Sequence, residues 1–190
     1  MKIDRNGKAK VLTPEEIALL FGENGFTTPR DRALFGTCLY TACRIAEACA
    51  LSTTDVYLGK GRIKTEITFQ KNSTKGKLAT RCVPISPSLV VLLQDYWSPT
   101  IHLFPGRHGS WSHIRPSSAD KILREVYERL GIYGAATHSF RRTALTMMHS
   151  NGVPLRVIQD ISGIRSLGVL QRYLEVGEDE KVSAIAALRF

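Results

Sequence analysis

The short segment HSFRR, residues 138–142, carries side chains suited to binding a phosphodiester. If a helix begins here, His138 lies on the same face as Arg141 and Arg142, which follow it by three and four positions. Arginine offers two parallel N–H groups to the non-bridging oxygens of a phosphate, and histidine adds a hydrogen bond or a proton. Taken alone, this HxxR pattern is common, and a basic helix start at the surface is the simpler explanation.

Two other segments supply the groups that a phosphodiester reaction would need. Upstream, TACRIAE places Arg44 at a predicted helix break, with Glu47 three residues later. Downstream, QRYLEV presents Tyr173 directly after a basic residue. Between the two arginine segments lies a lysine-rich turn, residues 72–77. The chain therefore carries, in order, an arginine, a lysine turn, an HxxR pattern and a tyrosine.

This order and the local amino-acid sequences resemble those of the tyrosine recombinases, the phage integrase family. TACRIAEACAL resembles the family's first arginine box, and TKGKLATRCVPIS resembles its lysine hairpin. HSFRRTALTMMHSNGVPLRVIQDISG resembles the second arginine box, and QRYLEV resembles the tyrosine segment. The similarity runs from Leu12 to Val176, nearly the whole chain.

The resemblance implies site-specific DNA recombination through a covalent 3′-phosphotyrosyl intermediate. Tyr173 would attack phosphorus, while Arg44 and Arg141 would hold the phosphate and stabilise the transition state. His138 would hydrogen-bond the phosphate and assist proton transfer, and Lys75 would protonate the departing 5′ oxygen. No metal or other cofactor is expected, because the arginines supply the positive charge.

Several neighbouring residues are assigned supporting parts by the same resemblance. Glu47 is expected to orient Arg44 rather than to touch DNA. Lys71 and Lys77 are alternatives to Lys75, because the loop is longer than minimal. Four basic residues are expected to bind DNA: Lys71, Lys77, Arg142 and Arg172.

The chain departs from the family pattern nine residues before Tyr173. The family usually has histidine or tryptophan there, and this chain has Ile164 after Gly163. Isoleucine donates no hydrogen bond, and losing one transition-state donor commonly lowers the rate on the order of a hundredfold. Three hypotheses follow: a slow recombinase, a DNA-binding relative without efficient catalysis, and a topoisomerase of type IB. Packing against Tyr173 is a property that Ile164 could retain.

The elements that must position these residues follow from periodicity and capping signals. Thr-Pro pairs at 13–14 and 28–29 predict helix starts. Residues 62–69 and 79–85 predict two antiparallel strands, and the Pro- and Gly-rich residues 98–115 predict a loop. Other helices are expected over 33–51, with a break at 41–44, and over 87–97, 116–130, 138–150, 154–161, 166–174 and 178–188. The sum is a mainly helical α+β fold with a small antiparallel sheet carrying the lysine hairpin.

The expected organisation has three parts. Residues 1–11 are a basic N-terminal tail, residues 12–176 are the catalytic domain, and residues 177–190 are a C-terminal helix. That helix either docks on a neighbouring protomer, as in the synaptic tetramer that the resemblance implies, or packs on its own core. Family members usually carry a helical core-binding domain before the catalytic one, so a separate DNA-clamping domain is an expected partner.

The composition fits a partner of opposite charge. The chain has 26 Lys and Arg against 17 Asp and Glu, a net charge of +9, which favours a nucleic acid. The resemblance implies that this nucleic acid is double-stranded DNA. The four cysteines form no CxxC pair and are interpreted as buried, reduced thiols. No apolar run reaches the roughly 18 residues that a membrane span needs, and the N-terminus lacks the apolar centre of a signal peptide. A cytoplasmic protein is expected.

Overall fold

A computed structural model describes residues 9–71, 79–107, 109–174, 185–186 and 188 of the 190-residue chain. Within these residues the fold is mainly helical with a small antiparallel sheet, as the sequence predicts, and a second two-stranded sheet that it does not predict. The helices are α1 Pro14–Phe21, α2 Pro29–Tyr40, α3 Ile45–Cys49, α4 Thr53–Val56, α5 Pro87–Asp95, α6 Pro116–Arg129, α7 Thr137–Ser150, α8 Leu155–Ser162 and α9 Leu167–Gln171. The strands are β1 Glu66–Phe69, β2 Arg81–Pro84, β3 Pro105–Gly106 and β4 Gly109–His113.

The first two helices begin where the Thr-Pro pairs predict. The Thr13 hydroxyl accepts a hydrogen bond from the Glu16 amide, and the Glu16 carboxylate accepts one from the Thr13 amide. The Thr28 hydroxyl accepts from the Asp31 amide. Each cap satisfies amides that the first helical turn leaves without an internal partner.

The predicted break between α2 and α3 is confirmed. α2 ends at Tyr40, and Ala42 takes a φ of 51°, in the left-handed region. A residue with a Cβ costs about 1–2 kcal/mol there. Arg44 is extended and forms the N-cap of α3, so this strained turn sets where the Arg44 side chain starts.

The sheet β1–β2 is shorter than predicted. Ile67 pairs with Val83, and both side chains are buried. The predicted strand over 62–69 begins only at Glu66, because the preceding backbone pairs elsewhere: the Lys64 amide donates to the Val56 carbonyl at the end of α4. The lysine-rich turn, including Lys75 and Lys77, lies outside the described residues.

Two other predictions of local structure need correction or stay open, and one short helix is additional. Residues 98–115 are not wholly a loop, because Pro105 pairs with His113 in the hairpin β3–β4. The one-turn helix α4 was not predicted. Of the predicted C-terminal helix, the structure describes only residues 185, 186 and 188, with 185 and 186 helical.

The interior contains two apolar clusters that meet along α7. The larger one centres on the stacked rings of Phe26 and Phe35, whose centroids lie 4.6 Å apart, with Phe140 of α7 5.7 Å from Phe35. The smaller cluster, called the α7–α9 cluster below, consists of the following residues: Ala42, Leu145, Ile158, Ile164 and Leu170. This cluster joins α7, which carries Arg141, to the segment after α9, which carries Tyr173.

The cysteines follow the prediction in three cases. Cys38, Cys43 and Cys49 are buried and unpaired by disulfides. Cys82 is also a free thiol but is exposed on β2, so the prediction that it is buried is wrong. Its neighbour Val83 occupies the inward face of the strand, which turns Cys82 outward. Among the described helices, none has the length and apolar character of a membrane span.

Candidate active site

A cleft of about 620 Å³ opens between β2, α3 and the end of α8. Arg44 and Glu47 line one side, Arg81 lines a second, and Gly163 and Ile164 line a third. These residues come from three distant parts of the sequence, so the cleft exists only in the folded chain.

Glu47 is the buried anchor of the cleft, with 1% of its surface exposed. Its Oε2 accepts a hydrogen bond from the Arg44 backbone amide at 2.8 Å, and its Oε1 accepts one from Arg44 Nη1 at 3.2 Å. Burial raises the pKa of this carboxyl, but the hydrogen bonds and charge of Arg81, aided by Arg44, outweigh burial and lower it below its ordinary value. Glu47 is therefore an anion in contact with Arg44, and its orienting role stays a prediction.

Arg81 is a central residue of the cleft that the sequence reasoning missed. Its Nη1 and Nη2 donate to the two oxygens of Glu47 at 3.3 and 3.0 Å, and its Nε donates to the Ile161 carbonyl at 3.1 Å. Its guanidinium carbon lies 4.3 Å above the centre of the Phe69 ring. A signal was present in the sequence: Arg81 precedes the inward-facing Val83 by two residues, so it lies on the same face of β2. A charge on that face requires a buried partner.

Arg141 is buried, with 1% of its surface exposed, and no carboxylate of the described residues hydrogen-bonds its guanidinium. Nη1 donates to the Ala42 carbonyl at 2.5 Å and Nη2 donates to the Ser162 carbonyl at 2.9 Å. Its Nε has no hydrogen-bond partner among the described residues. Burial, and then the positive charge of Arg44, lower the pKa of Arg141 to about 10. The guanidinium thus stays charged at neutral pH in surroundings that would favour an added anion.

Tyr173 lies two residues beyond the end of α9 and packs against the α7–α9 cluster. Its carbonyl accepts a hydrogen bond from the Thr146 hydroxyl at 3.2 Å, which ties the segment to α7. The centre of its ring is 5.7 Å from the guanidinium carbon of Arg141. The structure therefore brings together a tyrosine and an arginine that are 32 positions apart in the sequence.

Ile164 belongs to the α7–α9 cluster, against which Tyr173 also packs, and is 4% exposed. Gly163 ends α8 with a φ of 67°, in the left-handed region where glycine is favoured. The Gln159 side chain donates to the Arg165 carbonyl at 2.7 Å and fixes the turn on its other side. Ile164 therefore contributes apolar packing to the cluster that supports Tyr173 but no hydrogen bond from its side chain.

The remaining predicted residues differ in how far their side chains are exposed to solvent. His138 is exposed at the second position of α7, and Arg172 and Lys71 are also exposed. Arg142 is only 6% exposed, and its Nη1 donates to the Ala9 carbonyl at 2.8 Å. This contact holds the guanidinium against the segment before α1, and the DNA contact of Arg142 stays a prediction. Within the described part of the chain, no three His, Cys, Asp or Glu side chains cluster as a metal site.

The sequence pattern of the phage integrase family matches residues 10–180. The chain belongs to this family. A tyrosine recombinase of Pseudothermotoga lettingae is 31% identical over 183 residues, which cover 93% of this chain and 60% of that protein. The chain spans about three fifths of the length of such curated relatives.

Solved structures of family members share the fold. The XerA recombinase superposes with a TM-score of 0.75 at 22% identity, over 95% of this chain and 64% of that one. The XerH site-specific recombinase, bound to its difH substrate before cleavage, gives 0.70 at 19% identity, over 97% and 56%. The tyrosine recombinase fold expected from the sequence is confirmed.

Proposed function

We propose that this chain is the catalytic domain of a site-specific DNA recombinase that breaks and rejoins duplex DNA through Tyr173. The observation that carries the proposal is the buried Arg141 guanidinium, 5.7 Å from the centre of the Tyr173 ring and hydrogen-bonded by no carboxylate of the described residues. A desolvated cation with an unpartnered N–H has its strongest use in binding an anion. The relatives named tyrosine recombinases support the same reading.

The proposed reaction is a transfer of the phosphoryl group from a DNA oxygen to tyrosine. Tyr173 Oη attacks phosphorus, the bond from phosphorus to the 5′ oxygen breaks, and a 3′-phosphotyrosyl link forms. His138 takes the proton from the attacking tyrosine, and the departing 5′ oxygen takes one from Lys75. Attack by a 5′ hydroxyl from another strand reverses these steps and rejoins the DNA.

The arginines stabilise the charge that develops on the non-bridging oxygens. Arg44 and Arg141 offer guanidinium N–H groups that do not need to reorganise during the reaction, because Glu47 and two backbone carbonyls hold them. Among the exposed basic residues, Lys71 and Arg172 are proposed to contact the DNA backbone. Lys75 and Lys77 keep their proposed roles on the basis of the lysine hairpin resemblance.

One observation favours the second candidate function, a DNA-binding relative without efficient catalysis. Ile164 occupies a position where the family usually has a hydrogen-bond donor, and its buried apolar side chain offers none to a phosphate. The close placement of Tyr173 and Arg141 favours the enzyme, since a protein that only binds DNA needs no tyrosine beside its phosphate ligand.

The proposed partners are double-stranded DNA, further copies of the chain in a synaptic tetramer, and a separate core-binding domain. The net charge of +9 supports the first. The XerH structure with its DNA substrate is a precedent from that protein for the same fold acting on duplex DNA. A cytoplasmic location is proposed because the substrate is DNA.

Covalent capture tests the proposal without knowledge of the target site. The full chain is mixed at low salt with a pool of nicked duplexes of randomised sequence, in which cleavage frees a short downstream fragment. That fragment carries the new 5′ hydroxyl and is lost, so the strand cannot be rejoined. Adducts that survive denaturation are counted and their DNA is sequenced. We expect adducts with the wild type and none with Tyr173→Phe, which keeps the ring and removes the nucleophile. Duplex binding without adducts would replace this proposal with the DNA-binding relative.

A crystal grown in sulfate tests the phosphate site independently. We expect a sulfate ion within hydrogen-bond distance of both Arg44 and Arg141, close to the Tyr173 hydroxyl. A sulfate-containing crystal in which the two guanidiniums share no ion would overturn the assignment of these arginines.

A further inference from the structure

Glu47 is shared between two arginines, and the sharing is unequal. Arg81 donates to both carboxylate oxygens, from Nη1 at 3.3 Å and from Nη2 at 3.0 Å. The Arg44 side chain reaches only Oε1, with Nη1 at 3.2 Å. Because a guanidinium has five N–H groups, this single contact leaves most donors of Arg44 available to another acceptor.

The two arginines also differ in how firmly the fold holds them. Arg81 is fixed by Glu47, by the Ile161 carbonyl and by the face of the Phe69 ring, and 11% of its side chain is exposed. The Arg44 side chain has Glu47 as its partner and is 23% exposed in the same cleft. Arg81 is therefore a fixed part of the wall of the cleft. Arg44 faces the interior of the cleft, where a phosphate would lie.

We propose that Arg81 is a positioning residue, which satisfies the charge of Glu47 and thereby keeps Arg44 directed at the scissile phosphate. The proposal rests on the function proposed above and adds to it a residue that acts through another residue. Arg81 does not need to touch DNA in this role.

The effect of removing Arg81 follows from the burial of Glu47. A carboxylate that is 1% exposed needs a full complement of donors, because water cannot replace a lost partner there. Without Arg81 the nearest remaining cation is Arg44. The favoured geometry for an arginine and a carboxylate is bidentate, so Arg44 would turn toward Glu47 and away from the phosphate.

This mechanism predicts that a second substitution, at Glu47, restores the rate of covalent capture that substitution of Arg81 lowers. Arg81→Gln should lower the rate of covalent capture on the order of a hundredfold, the usual effect of losing one transition-state donor. The double variant Arg81→Gln with Glu47→Gln removes the anion that captures Arg44, so its rate should recover to within about tenfold of wild type. Arg81→Lys, which keeps the charge but loses the fork, should fall between Arg81→Gln and wild type.

A merely structural role of Arg81 predicts the opposite result. If Arg81 only held β2 and α8 in place, removing Glu47 as well would leave the double variant as slow as Arg81→Gln or slower. That outcome would overturn the proposal. Arg124→Gln, an exposed arginine of α6 that is paired with Asp120, is the matched control for loss of one positive charge.

Nuclear magnetic resonance of the arginine side chains tests the same step without relying on catalysis. We expect the Arg44 Nη–H signals, assigned with Arg44→Lys, to become separately resolved in Arg81→Gln, because bidentate pairing slows rotation of the guanidinium. They should return to the wild-type pattern in the double variant. Unchanged Arg44 signals in Arg81→Gln would refute the proposal, even if the rates behave as expected. If no variant, wild type included, forms adducts but the Arg44 signals respond, the proposed catalytic function fails while the Arg81–Glu47–Arg44 relation stands.

Discussion

Replacing Ile164 by histidine should raise the rate of DNA cleavage and lower the stability of the fold. Ile164 lines the cleft and also packs in the α7–α9 cluster that supports Tyr173. A histidine there would bring a hydrogen-bond donor to the wall of the cleft beside Arg44. One such donor is worth about 2.7–4 kcal/mol in the transition state, so a gain on the order of a hundredfold is expected.

The stability cost follows from the burial of the side chain. Ile164 is 4% exposed among apolar neighbours, and a polar ring that is incompletely hydrogen-bonded there costs about 1–3 kcal/mol. For a chain of this length each kcal/mol lowers Tm by roughly 2–4 °C. We therefore expect Ile164→His to melt several degrees below wild type while remaining folded at 25 °C.

The assay is single-turnover covalent capture on a duplex recovered from the randomised pool, with Ile164→Val as the matched control. Valine keeps the apolar contact and costs about 0.5–1.5 kcal/mol of stability, but it adds no donor, so its rate should stay near that of wild type. A folded Ile164→His that is no faster than Ile164→Val would refute the reasoning. It would show that this position limits the enzyme through packing of Tyr173 and not through a missing hydrogen bond.

Three other perturbations test the structural account. Gly163→Ala should lower the free energy of unfolding in urea by about 1–2 kcal/mol, because it forces a Cβ into a left-handed conformation; that Cβ would also lie 3.4 Å from the Arg81 side chain. Arg142→Ala should lower it by about 1–3 kcal/mol, since the Ala9 carbonyl loses its donor. Glu47→Gln should flatten the dependence of Tm on acid pH. The folded-state pKa of Glu47 lies below 4.5, so its contribution to stability is complete above pH 4.5 and is lost as pH falls through the folded value.

Local signals in the sequence predicted the helix starts and the break before Arg44, because both depend on residues that are neighbours in the chain. The Thr13 cap needs only Glu16 three positions later. The break needs only that α2 cannot continue through the left-handed Ala42. The family resemblance added the grouping of Arg141 with Tyr173, which spacing alone would not predict.

The features that sequence reasoning missed depend on three-dimensional placement. Arg81 and Glu47 are 34 positions apart and meet only because β2 packs beside α3 and α8. Arg141 and Arg142 are adjacent, so they point about 100° apart around α7, and no local rule says which one faces the cleft. The structure shows that both are buried in different surroundings, one beside Tyr173 and the other beside Ala9.

The net positive charge near Tyr173 complements the negative charge of the transition state better than that of bound, uncleaved DNA. Arg141 interacts electrostatically with Arg44, Arg81 and Glu47, so three cations face one carboxylate and an excess of two positive charges remains. A phosphodiester brings one negative charge, and an attacking tyrosinate brings the second only as the bond to phosphorus forms. The pKa of Arg141 is lowered to about 10, first by burial and then by the charge of Arg44, so the fold holds this cation at a cost. The cost is relieved most fully when both negative charges are present, which is the condition for stabilising the transition state more than the bound substrate.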